Sequence, residues 1–181
     1  MSEPPLALTA HYRWMARYNT WINARLLEAA ASLSDAERKR DRGAFFGSIH
    51  GTFNHLVVGD KLWLGRFAGL GPGFEMLDEE VLSLPPFTGL DMQVFEDFDV
   101  MVRHRQRMDA AIEAFAAQLT PELVSASFAY TTSKGLARRH PCWQALSHFF
   151  NHQTHHRGQI TTLLMQAGVD PGMTDLLALV D

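Results

Sequence analysis

The sequence predicts an all-α protein, a bundle of four long helices with a small β-hairpin before the last helix. Apolar residues recur at three- and four-residue spacing over four segments, and glycine and proline concentrate between the second and the third. With 181 residues, 46% apolar and 20% charged, the chain is expected to form one domain over residues 1–181. The predicted helices run from about Thr9 to Ala31, Phe45 to Ala68, Asp91 to Leu119, and Pro141 to Gly168.

The first half of the chain contains two helices of different character. Thr9 is a suitable N-cap for the first helix, whose apolar stripe includes Tyr18. Residues 34–37 then resemble a short capped turn, and residues 38–42 are expected to form a solvated charged loop. The second helix is apolar over much of its circumference, so we expect deep burial. Asp60 lies within its apolar stripe and therefore needs a partner.

The second half begins with a long connection over residues 69–90, which is rich in glycine and proline. Such length is needed when consecutive helices cross a bundle rather than turn back tightly. Asp91 is a good N-cap for the third helix. Alternating residues between Ala126 and His140, interrupted by a glycine turn, predict the β-hairpin. Proline favours the first turn of a helix, so Pro141 is expected to open the fourth.

Composition excludes several classes of function. A net charge of −4 provides no basic surface for nucleic acid, and no apolar run approaches the ~18–20 residues of a membrane span. Residues 1–8 have no apolar signal-peptide core. The single cysteine, Cys142, suits a reducing compartment, so we expect a cytoplasmic protein. A small buried side chain is favoured for Cys142 over a reactive thiol.

The stretch from Asn151 to Gln159 contains three of the nine histidines. On a helical wheel with His148 at zero, the apolar residues of the fourth helix occupy roughly 60° to 160°. His156 falls at about 80°, inside that arc, and His152 at about 40°, on its edge, whereas His148 and His155 point away. Two histidines four residues apart on an inward face form a candidate metal-binding pair. Two structural histidines whose rings merely satisfy each other's hydrogen-bonding groups would produce the same pattern.

Other sites do not fit the residues. The chain has no Glu-x-x-His pair of the ferritin-like di-iron type, and Gln153 stands where the zincin motif has glutamate. A third histidine from another helix would complete a three-nitrogen site with an open position, as in catalytic metal centres. His55 lies on a flank with Gly51 and Gly59, a position that permits an inward direction without requiring it. The four histidines expected on the surface or in caps, with no further role, are His11, His50, His104 and His140.

Four segments carry a resemblance to the DinB family, and it spans nearly the whole chain. They are residues 17–23, residues 47–56 with Asp60 and Trp63, residues 150–159, and residues 174–177. The resemblance implies a four-helix bundle of up-down-down-up topology and a homodimer. It also implies one divalent metal ion held by His55, His152 and His156. Imidazole ligands suit zinc, nickel, copper or iron, so the residues do not select the metal.

Relatives in the wider superfamily are bacillithiol S-transferases and a mycothiol-dependent maleylpyruvate isomerase. By that analogy the chain is expected to be a metal-dependent enzyme of thiol S-transferase type that acts on a small molecule, with a low-molecular-weight thiol as partner. Three neutral imidazoles would leave the metal positively charged, which favours a thiolate ligand. Five polar residues are candidates for the surroundings of the metal site: Asn19, Asn23, Asn54, Asp60 and Gln159. For each of them, a purely structural role is an equal alternative to a role at the site.

Two alternatives remain open at the level of sequence. One is a non-catalytic stress-response protein that binds a metal or a small ligand. The other is a metal-free dimeric helical adaptor, which would leave the inward pair His152 and His156 unexplained. Arg157, near 180° on the wheel, is expected to tether a neighbouring element in any of these proteins.

Overall fold

The computed structural model describes residues 4–71 and 73–180, with side chains from residue 7 onward. The described chain is mostly helical, and its one small antiparallel sheet is the predicted hairpin, in which Phe128 pairs with His140. The helices are α1 (Pro4–Ala31), α2 (Asp35–Lys39), α3 (Ile49–Ala68), α4 (Glu79–Leu82), α5 (Phe98–Ala117), α6 (Pro121–Ser125) and α7 (Cys142–Gln166). The strands are β1 (Ser127–Thr131) and β2 (Ala137–Pro141), and a 3-10 turn follows at Leu176–Leu179.

The predicted start of the second helix, at Phe45, was wrong by four residues. Helix α3 begins at Ile49, because Gly47 adopts a left-handed conformation with φ of 72° and Ser48 is extended. The Ser48 hydroxyl caps the helix by accepting a hydrogen bond from the Gly51 amide at 2.9 Å. Residues 43–47 are therefore a loop, which lies beside His55 and His156. The start of the first helix also differs, at Pro4 instead of Thr9.

The predicted start of the third helix, at Asp91, was also wrong. Helix α5 begins at Phe98, and its N-cap is Asp97, whose carboxylate accepts from the Val100 amide. The Phe95 backbone instead bonds a side chain of α3, donating to Asn54 Oδ1 at 2.8 Å and accepting from Asn54 Nδ2 at 3.0 Å. The connection between the long helices consequently runs from residue 69 to residue 97, and it includes the short helix α4. Part of the expected charged loop at 38–42 is likewise helical, in α2.

The core consists of two apolar clusters with a polar layer between them. One cluster contains Tyr12 of α1 and Phe149 of α7, and the other contains Ile22 of α1 and Ile160 of α7. Helix α1 packs against α5 and α7, and α3 packs against α7. Buried polar and charged residues of all four long helices lie where the clusters meet; these are Asn19, Asn23, Asp60, Arg105, Asp109, Gln153 and Arg157.

Arg105 is the centre of this polar layer. Its guanidinium donates to Asp60 of α3 and, at 2.5 Å, to Asp109 of its own helix. Asp109 also accepts from Asn19 at 2.8 Å and from Asn23 at 3.0 Å. Burial alone would lower the pKa of Arg105, but the two carboxylates raise it above its ordinary range. The partner that Asp60 requires is thus Arg105.

Helix α7 joins the same layer through two side chains. Gln153 donates to the second oxygen of Asp60 at 2.8 Å. Arg157 donates to Gln153 Oε1 at 3.1 Å and to the Asn19 side chain. Its guanidinium carbon also lies 5.4 Å from the centroid of the Tyr18 ring, within the range of a cation–π contact. The expectation that Arg157 tethers a neighbouring element is confirmed, and that element is α1.

No helix in the described ranges is both long and apolar enough to cross a lipid bilayer.

Replacing Arg105 with glutamine tests the importance of this layer for stability. Arg105→Gln leaves Asp60 and Asp109 buried without their shared counter-charge, and we expect the free energy of unfolding to fall by about 3–5 kcal/mol. The matched control is Arg103→Gln on the exposed part of α5, which is expected to change it by less than about 0.5 kcal/mol. Urea unfolding followed by circular dichroism measures both, and equal losses would contradict the assignment.

Candidate metal centre

Three histidines from two helices converge on one point of the structure. His55 of α3 and His152 and His156 of α7 place their ring nitrogens within 4.8 Å of one another. His55 Nε2 lies 3.1 Å from His152 Nε2 and 3.0 Å from His156 Nε2. His55 and His156 are buried, and His152 is partly buried. The structure therefore brings together the three residues that the family resemblance singles out.

Hydrogen bonds orient two of the rings. His55 Nδ1 donates to the Leu90 carbonyl at 2.8 Å, and His156 Nδ1 donates to Gln159 Oε1 at 2.8 Å. A neutral imidazole carries one proton, so a proton on Nδ1 leaves Nε2 with a free lone pair. Each Nε2 is then directed at the other two rings. This is the arrangement by which outer partners orient metal-binding histidines.

The convergence of lone pairs fits a cation. With both Nδ1 atoms protonated, no hydrogen lies between His55 Nε2 and His156 Nε2, although the atoms are 3.0 Å apart. Two facing lone pairs repel each other unless a positive charge lies between them. Tetrahedral Zn–N bonds separate their nitrogens by about 3.3 Å, close to the observed spacing. The residues present therefore fit a divalent metal ion.

The protonation states also suit metal binding. Burial lowers the pKa of His55 to about 4, although its hydrogen bond to Leu90 acts in the opposite direction. Burial together with the neighbouring His156 and His55 lowers the pKa of His152 to about 3, and burial lowers the pKa of His156 as well. All three rings are thus neutral at pH 7, which is the form that binds a metal.

The loop before α3 covers one side of the cluster. Phe46 stacks on His55 with 3.7 Å between ring centroids, and its ring meets His156 edge-on at 5.4 Å. Gly51 allows this approach, because a Cβ atom there would lie 2.2 Å from the Phe46 carbonyl oxygen. Phe46 thereby excludes water from one face of the rings. The sequence pattern placed Phe46 inside the second helix, which was predicted to begin at Phe45, and did not indicate this role.

Gly59 makes room for the third ring. A Cβ atom at Gly59 would lie 2.8 Å from Cε1 of His152, closer than side-chain carbons normally approach. The sequence placed Gly59 on the same flank as His55, and the structure shows that this small residue accommodates the ring from the facing helix.

The structure separates the five residues considered for the surroundings of the site. Gln159 alone contacts a ring of the cluster, at His156. Asn54 bonds the Phe95 backbone, so it fixes the connection that also supplies the Leu90 carbonyl. Asn19 and Asn23 bond Asp109 and belong, like Asp60, to the polar layer. The Leu90 carbonyl had no sequence signal, because any residue supplies one.

The sequence also predicted the surroundings of two further residues, His50 and Cys142. His50 was expected on the surface or in a cap, and this was wrong: it is 2% exposed, and its Nε2 lies 2.7 Å from the Phe95 carbonyl. It is buried because the connection before α5 folds over α3. Cys142 is fully buried, and burial raises the pKa of its thiol to about 11. The interpretation of Cys142 as a buried side chain rather than a reactive thiol is therefore supported.

Comparison with known proteins assigns the chain to a family. The sequence profile of the DinB family matches residues 6–181. The chain belongs to the DinB family. A similar curated protein is Protein DinB of Bacillus subtilis (strain 168), 22% identical over 165 residues that cover 87% of each chain. No solved structure gives a significant match.

Enlarging Gly59 tests the position of His152. In Gly59→Ala the added methyl group must displace the His152 ring, so we expect affinity for Zn²⁺ to fall about ten-fold or more. A methyl group at Gly65, on the same helix, would meet no atom within 4 Å, so Gly65→Ala should keep the affinity. It should also raise helix stability by about 0.5–1 kcal/mol. Competition with a chromogenic chelator gives the affinities, and equal Zn²⁺ binding by both variants would refute the packing argument.

Proposed function

We propose that His55, His152 and His156 bind one divalent metal ion, and that the protein is a metal-dependent enzyme of thiol S-transferase type. The observation that carries this proposal is the composition of the cluster. Among the described residues, three imidazole nitrogens converge without a carboxylate or a cysteine. Three protein ligands leave a coordination position for a small molecule, as in catalytic rather than structural zinc sites.

The charge of the cluster supports a thiol as the small molecule. Three neutral imidazoles do not offset the charge of a divalent ion, and the nearby Asp60 carboxylate is already paired with Arg105. A bound divalent metal supplies Lewis-acid chemistry that lowers the pKa of a coordinated thiol or water. An anionic thiolate is the ligand that such a site favours, and zinc, nickel and iron all suit the donor set.

The protein's own residues have three tasks in this proposal. The Leu90 carbonyl and Gln159 hold the proton of His55 and of His156 on Nδ1, so that Nε2 is available. Phe46 keeps water from one face of the rings. Gly59 gives the His152 ring the space it needs beside α3. Each task fixes a ring or its protonation state before any substrate arrives.

The order of residues in the two apolar clusters supports the up-down-down-up topology that the family resemblance implies. Helices α1 and α7 run from the cluster that contains Tyr12 to the cluster that contains Ile22. Helices α3 and α5 run the opposite way, α5 from Met101 to Ile112. We propose this topology, within a single domain, as the scaffold of the site. The homodimer and the cytoplasmic location stay predictions.

Metal content tests the ligand assignment. We expect elemental analysis of protein purified without a histidine tag to find about one divalent metal ion per chain. His152→Ala and His156→Ala should each lose it while circular dichroism shows unchanged helix content, because the polar layer stays intact. His155→Ala is the matched control, since this exposed neighbour lies outside the cluster and should leave the metal bound. Full metal in the first two variants would refute the assignment.

Thiol binding distinguishes an enzyme from a non-catalytic metal-binding stress protein. In cobalt(II)-substituted protein, 2-mercaptoethanol should produce the near-ultraviolet absorption of a cobalt–thiolate bond, because a coordination position is open. Azide should compete for the same position. A cobalt spectrum that neither probe changes would mean a saturated centre, and the non-catalytic alternative would then replace the enzyme. Where the spectrum responds, turnover of thiols with electrophiles is the next measurement.

A further inference from the structure

A pocket of about 350 Å³ lies beside the histidine cluster, between the loop at residues 43–47 and the C-terminal half of α7. Its size falls within the range of small-molecule sites, about 300–1,000 Å³. It borders the cluster without including any of the three histidines. The residues that define its chemistry are Arg42, Phe45, Gln159, Thr162, Leu163 and Gln166.

The charged side of the pocket is formed by Arg42. No carboxylate lines the pocket in the described part of the chain, and the Arg42 side chain is 12% exposed. Its Nη2 donates to Glu37 Oε2 at 2.8 Å, but the other oxygen of Glu37 is occupied by Arg40 at 2.5 Å. Both oxygens of Glu37 are thus occupied, and the nearby Asp41 carboxylate accepts from the Gly43 amide at 2.9 Å. The Arg42 Nε atom is buried, with no hydrogen-bond partner among the described residues.

The pocket also has an apolar lining, from Phe45 and Leu163. Phe45 is 84% exposed, although an aromatic ring of this size loses favourable burial when it faces water. The loop that carries it begins and ends with left-handed glycines, Gly43 with φ of 69° and Gly47 with φ of 72°. This conformation directs Phe46 to the histidines and leaves Phe45 at the pocket, which Leu163 of α7 also lines. The same loop therefore contributes one aromatic ring to the histidine cluster and the other to the pocket.

Gln159 connects the pocket with the histidine cluster. Its side chain lines the pocket, and its Oε1 accepts the hydrogen bond from His156 Nδ1 at 2.8 Å. Its amide nitrogen lies 3.4 Å from Nε2 of His155, which also lines the pocket. A ligand that contacts Gln159 would alter the group that holds the proton of His156.

We propose that this pocket binds a small organic molecule with a carboxylate and a short apolar body, and that Gln159 couples its occupancy to the histidine cluster. Arginine recognises carboxylates through its planar set of N–H donors, and a single cation among neutral donors suits one negative charge. Phe45 and Leu163 suit the apolar body. The binding site stands independently of the proposed function, whereas the coupling rests on it.

Ligand titrations followed by NMR test the pocket on the full-length, metal-free chain. N-acetyl-L-leucine and its amide have the same body and differ in the carboxylate. We expect the acid to shift the amide resonances of residues 42–45 and 158–166, and to bind about ten-fold more tightly than the amide. Equal binding by the two compounds, or shifts confined to other regions, would overturn the proposal.

Arginine variants identify the group that recognises the carboxylate. Arg42→Gln should weaken binding of the acid about ten-fold and leave binding of the amide unchanged. Arg42→Lys should fall between, since it keeps the charge but not the planar donors. Arg40→Gln is the control, because Arg40 pairs with the same Glu37 but does not line the pocket. A loss of equal size in Arg40→Gln and Arg42→Gln would mean that the general charge, not Arg42, is responsible, and would refute the assignment.

The coupling is tested on cobalt(II)-substituted protein. Azide first saturates the open cobalt position, so that the carboxylate of N-acetyl-L-leucine cannot coordinate the metal. A change that the compound then causes in the visible cobalt spectrum must be transmitted through the protein. We expect such a change in the wild type and its absence in Gln159→Leu, which removes the acceptor for His156. The matched control is Gln144→Leu, which should keep the change, because Gln144 is an exposed residue of α7 that does not line the pocket. Binding without any spectral change in the wild type would refute the coupling. Failure to take up cobalt would refute the metal site, while the NMR result on the pocket would still stand.

Discussion

Arg105 lies between two buried carboxylates, and the packing of all four long helices depends on this balance of charge. Asp60 comes from α3 and Asp109 from α5, while α1 and α7 reach the same carboxylates through amide side chains. A buried ion pair adds little net stability, because desolvation offsets most of the attraction. A helix shifted by one residue, however, would leave a charge buried and unpaired. We infer that the layer stabilises one alignment of the helices over others.

The alignment of α3 with α7 places the histidines opposite one another. Asp60 accepts from Gln153 at 2.8 Å, and each of these residues follows directly after a residue of the site, Gly59 and His152 respectively. His55 lies about one helical turn before Gly59, so its ring reaches the same level. The polar layer and the candidate metal centre are therefore neighbours along both helices, and one hydrogen bond fixes the register of both.

Irregular segments complete the site that the helices align. The connection before α5 supplies the Leu90 carbonyl, and the loop before α3 supplies Phe46. The backbone of the connection is held by Asn54, which both donates to and accepts from Phe95. Rigid helices position the ring nitrogens, and these segments determine the protonation of His55 and the exclusion of water. Two long helices joined by a tight turn would have no chain available for these tasks.

Residue pattern was sufficient to predict the helical class, the hairpin, the inward direction of His152 and His156, and the need of Asp60 for a partner. These follow from periodicity and from the cost of burying an unpaired charge, which are local properties. The choice of His55 came from the family resemblance and not from the helical wheel.

Other features became visible only in the folded chain. They are the starts of α3 and α5, the burial of His50, and the contacts of Leu90 and Phe46 with His55. The starts of α3 and α5 depend on the path of the loop that precedes each helix. The burial of His50 and the contacts of His55 depend on a hydrogen bond or a ring contact with another segment of the chain. Periodicity describes one segment at a time, so it carries no information about which backbone carbonyl or aromatic ring a second segment brings to a histidine.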